Sequence, residues 1–141
     1  MTAKHKYEIV EHTADVGISV QAGTLEELFA NAAYGMSDLL CKAETVCQSI
    51  ERPILIEAND YEELMVKWLT ELLFLFETEK LLFSEFQITE IDKTHLRAIA
   101  RGELLSPDRH EMNFDIKAVT WYGLHVVRDD SQWTARIIFD I

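Results

Sequence analysis

Two places in this 141-residue chain combine residue types that could do chemistry. The first is His12-Thr13-Ala14-Asp15-Val16-Gly17, where a carboxylate stands between two apolar alternating segments. The second is the end of the sequence, Ile137-Ile138-Phe139-Asp140-Ile141, which is apolar and strand-like where most termini are polar and frayed. There the side chain of Asp140 and the α-carboxylate of Ile141 lie within a few residues' reach of one another. At about 5 Å and an effective dielectric near 20, two such charges repel by roughly 3 kcal/mol, and a cation between them removes the conflict. Carboxylate oxygens are hard ligands, so the cation would be calcium, magnesium or manganese rather than zinc or copper. The plainer readings are that Asp140 faces solvent while Ile141 fills a hole, and that Asp15 closes a turn through its own backbone. On residue types alone these plainer readings carry more weight.

Other site chemistries find no support. No G-x-x-x-x-G-K-[ST] or G-x-G-x-x-G run cradles a phosphate, and no G-x-S-x-G elbow presents a serine. Neither H-E-x-x-H nor paired cysteines point to zinc. The five histidines (His5, His12, His95, His110 and His125) are scattered singly. Cys41 and Cys47 lack C-x-x-C spacing and read as reduced packing residues of a cytosolic protein.

The elements that must carry Asp15 and Asp140 follow from periodicity. Alternation predicts a strand over Lys6–Glu11, a break at residues 12–17, and a second strand through Ile18 and Val20. Thr24 and Glu27 form a capping box ahead of Leu25, Leu28, Phe29, Ala32, Met36, Leu39 and Leu40 at helical spacing. Asp60 and Glu63 repeat that pattern ahead of a wider stripe from Tyr61 through Trp68 to Phe76, which predicts a helix sunk into the core. Thr45–Ile50 and Pro53–Ala58 read as β-rich, Phe86–Ile91 and His95–Leu104 as a hairpin, and 106–113 as a loop. Three last strands are predicted over Asp115–Thr120, Leu124–Arg128 and Trp133–Asp140, with Trp68 and Trp133 in the core. The sum is one α+β domain over residues 1–141, with two helices packed on a mainly antiparallel, or mixed, β-sheet.

Composition limits the partners. The chain has 25 acidic and 13 basic residues, a net charge of −12, with 48% apolar and 10% aromatic residues. This is the make-up of a folded domain that lacks the basic footprint of a nucleic-acid binder, so no direct contact with nucleic acid is expected. The first residues have no apolar signal core, and Leu72–Phe76 is far too short to cross a bilayer, so a cytoplasmic place is expected.

Taken together, four stretches resemble the archease family. They are His12–Gly17, Glu57-Ala58-Asn59-Asp60 leading into Trp68–Leu73, Ile116-Lys117-Ala118-Val119-Thr120, and Ile138-Phe139-Asp140-Ile141. They occur in family order over essentially the whole chain. The resemblance implies a protein that activates an RtcB-type RNA ligase in tRNA splicing and RNA repair, promoting its guanylylation and turnover, and that is not itself an enzyme. It implies a divalent metal, calcium first and magnesium or manganese as alternatives, held by Asp15, Asp140 and the terminal carboxylate of Ile141. It further implies partner-binding roles for Lys117 and His110. One position departs: relatives often have histidine where this chain has Tyr122. The rival readings are a general chaperone or adaptor for nucleic-acid-modifying enzymes, and a metal-dependent hydrolase.

Overall fold

The computed structural model describes residues 7–11 and 15–141. Of the break expected at residues 12–17, residues 12–14 lie outside the described residues, and residues 15–17 are strand, held in antiparallel ladders to residues 10–11 and 138–140. Two strands open the chain, β1 (Tyr7–Glu11) and β2 (Asp15–Ala22). Helix α1 (Leu25–Leu40) follows, then a single 3-10 turn (Ala43–Thr45), strand β3 (Ile50–Glu57) and helix α2 (Tyr61–Glu79). Strands β4 (Leu81–Ile91), β5 (His95–Leu104), β6 (Ala118–Val119), β7 (His125–Asp129) and β8 (Gln132–Asp140) complete the fold.

Both helices begin as their sequences demand. Thr24 accepts from the Glu27 N–H while Glu27 reaches back to the Gly23 N–H, and Asp60, Glu63 and Asn59 repeat the arrangement. Helix α2 stops because Lys80 adopts a left-handed conformation (φ 58°), its N–H bonding back to the Leu75 and Phe76 carbonyls. Strand β4 then starts at once.

The strands form two sheets rather than one. The first runs β1-β2-β8-β6, with β7 also paired to β8; the second runs β3-β5-β4. Every pairing among the described strands is antiparallel, so the mixed alternative does not hold for them. Helix α1 is buried on nearly all sides and packs against both sheets, while α2 covers the second sheet and the β6–β7 side of the first. One continuous core joins them, with Trp68 at its centre donating to the Phe29 carbonyl at 2.9 Å. Burying that indole satisfies its N–H within the core, as a large aromatic with one donor requires.

Several local expectations are corrected. Residues 46–49 are irregular rather than extended, because Asp38 accepts from the Ala43 N–H and Cys41 closes onto Ser37, turning the chain into the 3-10 turn. The strand expected over Asp115–Thr120 shrinks to Ala118–Val119; the chain before it is spent on helix α1, with Asn113 and Phe114 donating to the Leu40 and Leu39 carbonyls. Trp133 is half-buried, edge-on to Tyr61 with ring centroids 5.3 Å apart, instead of central. Cys41 is buried as expected, but Cys47 is exposed.

Candidate carboxylate site at the β2–β8 edge

Strand β2 pairs with β8 along its whole length, and the register sets Asp15 opposite Asp140, Gly17 opposite Ile138 and Ser19 opposite Arg136. Residues directly across an antiparallel ladder share a face with Cβ atoms about 5 Å apart. Alternation sends Val16, Ile18 and Val20, with Ile137 and Phe139, into the core. Asp15, Gly17, Arg136, Ile138 and Asp140 therefore share the opposite face. The expected juxtaposition of Asp15 and Asp140 is present.

The β6 strand extends this edge. Ala118 pairs with Asp140 and Val119 with Phe139, and the Lys117 N–H donates to the Asp140 carbonyl at 2.7 Å. Lys117 is exposed and lies one register step from Ile141, whose side chain packs partly against the core. Three of the residues singled out from sequence thus meet at one sheet end beside the fourth, Ile141.

Two buried side-chain atoms among the described residues lack any hydrogen-bond partner: Asp15 Oδ1 and Arg136 Nε. Both residues line one open concavity of about 440 Å³, together with Tyr122, Gly123 and Ile138. Buried polar atoms are ordinarily hydrogen-bonded, so these two are the atoms of the face best able to engage a ligand, ion or water. For a divalent cation the fit is partial and specific. Asp15 offers an unengaged hard oxygen and Asp140 a second carboxylate across the ladder, while no cluster of three or more His, Cys, Asp or Glu side chains able to hold a metal occurs among the described residues. Water, the Ile141 carboxylate or a partner group must complete an oxygen shell of six or more ligands.

The face is shaped by close packing. A Cβ on Gly17 would stand 2.7 Å from Ile138 Cδ1 and 3.1 Å from the Ile137 carbonyl oxygen, so only glycine lets Ile138 lie flat beneath the concavity. The turn after β6 closes over it: Thr120 bonds the Ile138 carbonyl through both its N–H and its hydroxyl. Gly123 adopts φ +63°, and Tyr122 projects at the rim, 78% exposed. The departure at Tyr122 therefore lies in the same concavity as Asp15.

His110 lies elsewhere. Its side chain is fully buried (0% exposed) beside Glu103 of β5. The Ser106 N–H donates to Nδ1 at 2.8 Å, which leaves the proton on Nε2, 2.9 Å from Glu103 Oε2. Direct partner contact through this ring is corrected accordingly: both nitrogens are engaged and no ring surface is free. Glu103 also accepts from the Cys47 N–H at 2.7 Å and from Arg109. Burial pushes its carboxyl pKa up, but the Cys47, His110 and Arg109 bonds outweigh that and hold it below the ordinary value. The pair clamps the start of the segment that runs from β5 past α1 to Lys117.

Arg136 and the concavity were missed from sequence. The signal was present: once the last strand is read as alternating, Arg136, Ile138 and Asp140 fall on one face, and a strand arginine in so acidic a chain stands out.

Fold and site define a class of small α+β proteins with an acidic sheet end. The model of the archease protein family matches residues 7–141. Relatives include the protein archease of Methanosarcina mazei, 39% identical with 96% of each chain covered, and that of Methanopyrus kandleri, 38% identical with 96% of this chain and 99% of the other covered. The solution structure of Methanobacterium thermoautotrophicum protein 1598 superposes with a TM-score of 0.83 at 35% identity, covering 96% of this chain and 98% of that one. An archease from Thermotoga maritima, described as a possible chaperone, shares the fold at a TM-score of 0.64 and 17% identity. The chain belongs to the archease family. No helix among the described residues is long and apolar enough to cross a membrane.

Proposed function

We propose that the chain is a metal-binding activator of an RtcB-type RNA ligase, active in tRNA splicing and RNA repair, and not an enzyme in its own right. The observation that carries this reading is the Asp15–Asp140 pair, with Asp15 Oδ1 buried and unpartnered. Asp15, Asp140 and the Ile141 carboxylate would hold a divalent cation, calcium first, with magnesium or manganese as alternatives. An incomplete protein shell leaves coordination positions for a partner group, which suits a protein that presents charge to a second protein. Lys117 stands beside the pair as an exposed point charge for a phosphate or carboxylate of that partner. The activator favours one state of the ligase by binding that state better. A net charge of −12 complements a basic, nucleic-acid-binding partner and disfavours direct contact with RNA. A cytoplasmic place accords with such a partner.

The test is ligase guanylylation with purified cognate ligase. Wild type accelerates it; Asp15→Ala and a chain lacking Ile141 do so at least about tenfold less while remaining folded, as expected when about 1.4 kcal/mol of coupling is lost. Full acceleration by both variants overturns the reading. A chaperone role has one observation of its own, the exposed aromatic pair Trp121 (58%) and Tyr122 (78%). It predicts suppressed aggregation of unrelated clients that is indifferent to Asp15→Ala.

A further inference from the structure

The two unpartnered buried side-chain atoms of the described residues have opposite character. Asp15 Oδ1 accepts and Arg136 Nε donates, and both residues line the same concavity, yet they form no ion pair with one another. Arg52, Arg97, Arg101 and Arg109 each pair with a carboxylate. Arg128 and Arg136 have no hydrogen-bond or ion-pair partner among the described residues, but Arg128 is exposed to water, whereas the Arg136 Nε is buried. Burying a guanidinium N–H without an acceptor costs free energy that a bound acceptor would return.

We infer that Arg136 is an anion subsite that adjoins the cation held at Asp15 and Asp140, and that its ligand is a phosphate group. The inference rests on the metal-binding reading proposed above. Charge decides why both are needed together. Two aspartates against one arginine leave the face negative and hostile to an anion; a dication reverses that sign. A phosphate has enough oxygens to meet the cation and the guanidinium fork at once, a geometry that arginine favours over lysine. Gly123 and Ile138 give the concavity an apolar floor, and the exposed phenol of Tyr122 stands at its rim. Glycine at position 17 keeps that floor low, since a Cβ there would push Ile138 outward. Lys117, on the other side of Asp140, adds a second positive charge near the same edge.

Because cation and anion occupy neighbouring positions, each must tighten the other, and Arg136 strengthens that coupling by holding the anion beside the cation. The experiment follows manganese binding to the full chain by the electron paramagnetic resonance signal of the free ion, with and without phenyl phosphate. In wild type, phenyl phosphate tightens manganese binding by about tenfold, within the usual range of coupling between sites. Arg136→Met binds manganese alone no more weakly than wild type, since a repelling charge is gone, and the phosphate effect falls severalfold. Arg136→Lys, which keeps the charge but loses the fork, retains only part of it. The manganese curve of each variant without phosphate shows that it has kept its fold. Three results overturn the inference: no phosphate effect in wild type, an undiminished effect in Arg136→Met, or equal tightening by acetate, which would make the ligand a carboxylate. If wild type does not bind manganese, the metal-binding reading falls and this inference with it; binding without a phosphate response removes only the inference.

Discussion

Asp15 and Asp140 are the first and last residues of the ladder between β2 and β8, each directly across from the other. Neither is placed there by its own packing. Each follows a long apolar register, Val16 to Ala22 against Trp133 to Phe139, that cannot slip by one residue without turning the core faces outward. The acidic pair is thus held in place by burial on the opposite face of the sheet. Without a cation the two carboxylates repel. Calcium should therefore raise the melting temperature of the wild type, by an amount equivalent to about 2.7 kcal/mol at a hundredfold excess over Kd. Asp15→Asn should melt higher than wild type in chelator and gain nothing from calcium. Calorimetric scans with and without the ion check both statements.

Glycine at position 102 admits no substitute. A Cβ there would stand 1.8 Å from the Leu82 carbonyl oxygen, where β4 bulges so that Ser84 can donate to the Val46 carbonyl. The obstacle is backbone, which cannot rotate away as a side chain would. Gly102→Ala should cost about 3 kcal/mol or more, above the usual range for overpacking because relief means breaking ladder bonds. Urea denaturation measures it, and a loss under about 1 kcal/mol would mean that β4 shifts freely.

The Glu103–His110 clamp sets an acid limit on stability. Glu103 titrates below its ordinary value in the fold, so its contribution is fully present above the unfolded carboxyl pKa of about 4.3. That contribution is lost as pH falls through the lower folded value. Glu103→Gln should flatten the pH dependence of stability on the acid side of pH 4.3 and leave a lower plateau at neutral pH. His110→Ala leaves the Ser106 N–H without a partner, takes one of two donors from Glu103 Oε2, and should cost about 2 kcal/mol. If the chain activates a ligase as proposed, the same variant should weaken that activation indirectly, because the released segment carries Lys117. Acid titration of the melting temperature distinguishes these effects.

Tyr122 offers a test that leaves the fold alone. It is 78% exposed and lines the Asp15 concavity, so Tyr122→His should change stability by no more than about 0.5 kcal/mol. A histidine there adds a nitrogen ligand near Asp15 and should tighten manganese binding severalfold at pH 8 and less at pH 6, where imidazole is protonated. An unchanged affinity at both values would place this rim too far from the cation.

Much of the fold was legible because its signals are local. The caps at Thr24 and Asp60 need only residues three apart, and the alternation in β8 already separates Asp140 from the core, though β2 reaches back to Asp15 where a break was expected. The division into two sheets was not legible. It depends on which strands pair across the chain, as when Ile50 meets Gly102 and Ala22 meets Trp133. The start of β4 was hidden for a different reason: Leu81-Leu82-Phe83 continues the apolar run of α2, and only the left-handed Lys80 separates them without a glycine to mark the change. The burial of His110 was not legible either, because a lone histidine in a polar loop carries no sign of its partner. Its burial comes from Glu103, whose charge is itself neutralised from the same loop by Arg109. The carboxylate pair was reached through the family resemblance, since residue types alone favoured plainer readings, whereas the orphan donor of Arg136 required the packing of the 120–124 turn over Ile138.

The most direct test of the central claim is anomalous diffraction from crystals of the full chain soaked in manganese. The account predicts one strong peak between Asp15 and Asp140, at coordination distance from Asp15 Oδ1, about 2.1–2.3 Å for a cation of this kind. A strong peak elsewhere, or none in that gap with the protein otherwise intact, would contradict it.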